Sequence, residues 1–182
     1  MRILGISGSL RRDSYNTGLL RTAALLAPGD VELWDGLKAI PPYDEDDAVA
    51  PAPAVVELRS ALAGADGFLF ATPEYNSSVP GHLKNALDWA SRPLATNPIR
   101  NKPAAVVGAS TGAFGAVWAQ AELRKVLAAI GARVLEDELP VGQAAARFGA
   151  GGLLADGELR ARLADLVDDL LSAVDERLAA AA

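Results

Sequence analysis

The sequence predicts an α/β chain: a doubly wound, five-stranded parallel sheet with helices on both faces. Three observations carry that expectation. Short apolar runs alternate with longer stretches of helical spacing. The runs read apolar on both faces, as strands of a covered parallel sheet do. The polar, glycine-bearing segments fall directly after the runs, where ligands sit in such sheets.

The strand-like runs are Arg2–Ser7, Val31–Trp34, Gly67–Ala71 and Ala104–Ala109, with a weaker one at Arg133–Leu139. Between them, Leu19, Ala23 and Leu26 share one helix face, and so do Leu83, Leu87 and Ala90. Leu123, Leu127 and Ile130 repeat the spacing and are followed by Gly131, a helix stop. Leu159, Leu163, Leu166 and Leu170 mark a last helix that opens at Asp156-Gly157. Five strands favour the flavodoxin-like order among doubly wound sheets. No repeat or linker divides the chain, so residues 1–182 are expected to form a single domain. The Pro-broken run from Ile40 to Asp47 reads as a solvated acidic loop.

Composition narrows the chemistry. The 182 residues are 51% hydrophobic, enough for a full core, which excludes disorder as the overall state. A net charge of -6 argues against nucleic acid as a partner. With no cysteine there is no disulfide, thiolate nucleophile or iron–sulfur ligation. The one histidine, His82, leaves no serine–histidine triad to build; at a helix start it reads as a surface residue. Any redox chemistry therefore belongs to a bound organic cofactor, and no catalytic side chain or metal ligand is assigned. No window approaches the ~18 apolar residues of a membrane span, and the first strand begins without a basic leader. A cytoplasmic protein is expected.

Three loops bear the chemistry. In Ser7–Thr17 a helix start offers unpaired N–H groups and the positive end of its dipole, a ready anion site. Ser9, Ser14, Asn16 and Thr17 add neutral donors, and Arg11 adds a two-pronged charged grip. The plainer reading is a polar turn with Ser14 as helix cap. The second loop runs from Thr72 to Gly81. Pro73 stiffens it, Glu74 follows, and Tyr75 and Asn76 supply an aromatic face and an amide. The third follows the fourth strand: Ser110 and Thr111 are donors, and Gly112 and Gly115 permit close backbone approach to a flat ring. A phosphate end and a flat-heterocycle end together describe FMN.

Gly8-Ser9-Leu10-Arg11 with Ser14 and Asn16 resembles the GSxRxxSxN signature of the NADPH-dependent FMN reductase family. Residues 73–76, Ser78, Pro80-Gly81 and 83–89 resemble that family's PEYNxSxPGxLKNAxDW. The resemblance implies a flavodoxin-like fold, FMN held without a covalent link, and a homodimer or homotetramer. It implies phosphate contacts from Ser9, Arg11, Ser14, Asn16 and Thr17. It implies ring contacts from Pro73, Glu74, Tyr75, Asn76, Ser110, Thr111 and Gly112. The reaction expected is hydride transfer from NAD(P)H through FMN to a small-molecule electron acceptor: a quinone, azo compound, metal oxyanion or free flavin. A flavodoxin-type FMN electron carrier is the alternative. Many relatives have paired glycines in the third loop, whereas here Ala113-Phe114 precede Gly115, which touches acceptor choice. The apolar far end of the 83–89 helix, with Trp89 and Leu94, suggests a subunit interface. Arg12, Arg92, Arg100 and Lys102 are open as partners of a 2′-phosphate.

Overall fold

The computed structural model describes residues 1–181. Five parallel strands form one sheet: β1 (Ile3–Ser7), β2 (Val31–Trp34), β3 (Gly67–Thr72), β4 (Pro103–Ala109) and β5 (Arg133–Val141). Their spatial order is β2-β1-β3-β4-β5, the flavodoxin-like order. The helices are α1 (Tyr15–Leu26), α2 (Pro53–Ala63), α3 (Gly81–Ala90), α4 (Val117–Ala129) and α5 (Gly157–Ala179).

The strand period of two divides the core into two layers. Ile3, Leu69, Ala71, Ala105 and Val107 face one side and pack with Leu19, Leu20, Leu163 and Leu170 of α1 and α5. Leu4, Ile6, Phe68, Phe70, Ala104 and Val106 face the other, against Leu58, Leu62, Leu83, Leu87, Leu123 and Leu127 of α2, α3 and α4. β3 and β4 are buried along their whole length, which is why they read as continuous apolar runs.

The edge strands depart from that pattern. β2 exposes Glu32 and Leu33, because it pairs only with β1 and has no neighbour beyond. β5 is exposed or half-buried up to Glu138 and bulges: Ala104 pairs with Val134 but Val106 with Glu138, which pushes the intervening acids outward. The helix between β2 and β3, carried by Val55, Leu58 and Leu62, has Pro53 in its first turn.

Trp89 corrects the expectation of an apolar interface at the end of α3. It is only 1% exposed, stacks edge-on against Tyr43 and donates its Nε1–H to the Pro41 carbonyl at 2.9 Å. Asn85, one turn earlier, donates to the same carbonyl and accepts from the Tyr43 N–H. Asp44 to Asp47 are exposed as expected, but the loop's proline end is pinned to α3. Leu94 does stand out in solvent. No helix among the described residues is long and apolar enough to cross a membrane.

The register aligns the ends of β1, β3 and β4: Ser7 lies beside Ala71, and Thr72 beside Gly108. The three loops of interest therefore leave the sheet side by side at its carboxyl edge, next to the point where strand order reverses.

Candidate functional site

The first loop is a ladder of hydroxyl hydrogen bonds ending in a helix cap. The Ser9 N–H donates to Ser7 Oγ, the Arg11 N–H to Ser9 Oγ, and Thr17 Oγ1–H to Ser7 Oγ at 2.9 Å. Ser14 caps α1 by accepting the Thr17 N–H. Tyr15 and Asn16 precede the first possible intrahelical acceptor, so their N–H groups stay open. No acid sits in this first turn to compete for them. The exposed Arg11 guanidinium makes one hydrogen bond, to the Asp13 carbonyl, and keeps most of its donors free.

Asn16 behaves differently from expectation. Its side chain is buried, and both ends of its amide are engaged: Nδ2–H donates to the Ala109 carbonyl at 3.0 Å, and Oδ1 accepts the Ala109 N–H at 2.9 Å. It fastens the first loop to the third and offers a ligand only its backbone N–H.

The second loop is held at both ends. Tyr75 and Ser78 exchange backbone hydrogen bonds around Asn76 and Ser77, both at positive φ, as in a type I′ turn. Asn76 thus occupies the turn tip. The Glu74 carboxylate, expected at the ring, caps α4: Oε2 accepts the N–H groups of Trp118 and Ala119, each at 3.0 Å. Glu122 on α4 reaches back, Oε2 accepting Ser78 Oγ–H at 2.6 Å and the Val79 N–H at 3.2 Å. These bonds hold the Glu122 carboxyl below its ordinary pKa. His82 is half-buried rather than a free surface residue; its Nε2 lies 2.8 Å from the Gly8 carbonyl and donates to it. Gly8 permits this closeness, since a Cβ there would stand 2.8 Å from Leu83 Cδ2 and 3.3 Å from Pro73 Cδ.

In the third loop the Ser110 Oγ accepts the Gly112 N–H, and the Gly112 carbonyl accepts from Gln143. The three loops enclose one open cleft. Ser9, Arg11, Ser14, Asn16, Pro73, Glu74, Tyr75, Ser110 and Thr111 line it, joined by Tyr15 and Ala109. Thr17 turns to the other side of the first loop, and Asn76 and Gly112 lie outside the lining. Asn85 and Trp89, four apart on one helix face, both donate to the Pro41 carbonyl, a tie that only the fold reveals. Of the cations open for a 2′-phosphate, Lys102, just before β4, is spent: Nζ donates to the Leu62 and Ala63 carbonyls at the end of α2. Partial burial and the nearby Arg177 charge lower its pKa.

A cleft with helix N–H groups, hydroxyls and an arginine at one end, and loop backbone, proline and tyrosine at the other, is the candidate cofactor site of this flavodoxin-like sheet. Residues 1–146 match the model of the NADPH-dependent FMN reductase family, and the chain belongs to that family. It is 46% identical over 164 residues to an NAD(P)H-dependent FMN reductase of Pseudomonas aeruginosa, covering 88% of each chain. It is 38% identical over 180 residues to a 2-hydroxy-1,4-benzoquinone reductase of a Burkholderia species, covering 97% of this chain and 98% of the relative. Among solved structures it resembles FerB, a flavoenzyme NAD(P)H:(acceptor) oxidoreductase of Paracoccus denitrificans. That match has a TM-score of 0.86 and 34% identity, over 97% of this chain and 98% of the other.

Proposed function

We propose that this chain is an FMN-dependent NAD(P)H oxidoreductase that passes reducing equivalents to a small-molecule acceptor, with quinones foremost. The observation that carries the reading is the open N-terminus of α1, with Arg11, Ser9 and Ser14 around it, in one cleft with the second and third loops. The donor set suits a phosphate dianion: backbone N–H groups, hydroxyls and one guanidinium, with no carboxylate in the helix's first turn. The backbone at residues 73–75 and the donors of Ser110 and Thr111 suit the edge of a flat heterocycle.

Bound there, FMN supplies a ring that takes hydride from NAD(P)H and gives the electrons on to the acceptor. The protein's part is position and electrostatics. Arg11 and the α1 N–H groups fix the phosphate end. Asn16, His82 and Glu74 hold the loops rigid around the ring end without touching the reaction. No side chain needs to act as acid or base.

Support for NAD(P)H and quinones comes from family membership and from the relatives' activities. A single cytoplasmic domain assembling as a homodimer or homotetramer belongs to the same reading, with exposed Leu94 a contact surface that light scattering tests. The activity test is NADPH and NADH oxidation by flavin-stripped protein with a benzoquinone, with and without added FMN. Turnover that requires both FMN and quinone supports the reading. Flavin-independent turnover, or none with either nucleotide, contradicts it.

A further inference from the structure

Four cations are open for a 2′-phosphate, and the fold parts them. Arg92, Arg100 and Lys102 lie on the connection from the end of α3 to the start of β4, at the amino edge of the sheet. Arg100 packs beside Gly131, just ahead of β5, where a Cβ would stand 3.2 Å from its Cγ. Of the four, Arg12 alone is at the carboxyl edge, in the first loop itself.

A groove runs along the side of that loop that faces β2. Leu10 and Leu33, 44% and 38% exposed, form apolar walls with Trp34. Arg12 and Lys38 line it as well, and among the described residues neither enters an ion pair. Asp35 is its one carboxylate. The β2 end of the groove is fixed. A Cβ on Gly36 would stand 2.4 Å from Trp34 Cζ2, and buried Leu37 anchors the 3-10 turn Gly36–Ala39 that carries Lys38. Ser9 and Arg11 line both this groove and the cleft, so the two adjoin across one loop. Leucine and indole surfaces cover a purine, a carboxylate accepts a ribose hydroxyl, and two unpaired cations bind a phosphate dianion. Those are the parts of an adenosine phosphate.

We propose that this groove takes the adenosine 2′-phosphate end of NADPH, with Arg12 and Lys38 gripping the phosphate, and so sets NADPH ahead of NADH. The proposal rests on the FMN reading of the cleft, where the nicotinamide end meets the flavin. On FMN-loaded protein, calorimetry is expected to show 2′,5′-ADP binding roughly tenfold tighter than 5′-AMP, the two differing only in the 2′-phosphate. Combining Arg12→Gln with Lys38→Gln closes that gap to about twofold or less. With saturating benzoquinone, each single substitution raises KM for NADPH by roughly threefold to tenfold and moves KM for NADH by less than about twofold. Both side chains are exposed, so Tm stays near wild type. FMN content is measured first: failure of the wild type to hold FMN overturns the cleft reading. Retained FMN with equal affinity for the two adenosine nucleotides overturns the groove alone. A double variant that keeps the gap, or one that loses NADPH and NADH alike, overturns the groove as well.

Discussion

Asn16 and Ala109, 93 residues apart in sequence, hold each other through two hydrogen bonds of 3.0 and 2.9 Å between one side-chain amide and one peptide unit. The bond pair locks the loop after β1 to the loop after β4, and both partners are buried. Asn16→Leu leaves the N–H and C=O of Ala109 unpaired. Loss of about 1–3 kcal/mol of stability is expected, read from denaturant unfolding. Unchanged stability would mean that the tie adds nothing.

Among the described residues Arg11 is the one cation lining the cleft, and its guanidinium is largely unengaged. Arg11→Ala weakens FMN binding by roughly 10- to 100-fold, the worth of a charge-assisted contact of about 1.5–3 kcal/mol. Fluorescence titration of flavin-free protein measures it. Because the residue is exposed, the folded stability of the flavin-free variant stays near wild type.

Gly115 sits at positive φ against the end of β5. Gly115→Ala meets both conformational strain and two backbone atoms at 2.5 Å. A loss of more than ~1 kcal/mol follows, visible as a lowered Tm. A Tm equal to wild type would show that this turn has room to relax.

Glu122 links α4 to Ser78 and Val79, and its folded pKa is depressed by those two bonds. A depressed carboxyl pKa gives stability that is present above the unfolded value, near ~4.3, and lost as pH falls through the lower folded value. The group is almost fully solvated, so its share is about half a kcal/mol or less. Tm of Glu122→Gln is expected to fall less steeply than wild type between about pH 5 and 3. Parallel curves would contradict the link.

The parts of this structure that sequence showed are those set by periodicity. β3 and β4 are apolar throughout because both faces are covered, and α5 repeats its leucines because one face is. Cysteine and histidine counts already left redox work to a cofactor. What stayed hidden depends on tertiary partners. Nothing local says that Glu32 and Leu33 lie on a sheet edge, or that a tryptophan at a helix end tucks under Pro41. Polar residues in the loops were legible as a group, but their division of labour was not. Ser9, Ser14, Arg11, Asn16 and Glu74 all line the cleft, yet the side chains of Asn16 and Glu74, like that of His82, are engaged with the backbone of other segments. That division follows from which backbone donors and acceptors the fold leaves unpaired, which only the assembled sheet determines.

The central claim is that the cleft retains FMN and gives NAD(P)H access to it. Its most direct test is the visible spectrum of protein loaded with FMN and desalted, before and after anaerobic NADPH or NADH. A protein-bound flavin spectrum that bleaches with either nucleotide is predicted. Colourless protein after desalting, or bound flavin that neither nucleotide bleaches, would contradict it.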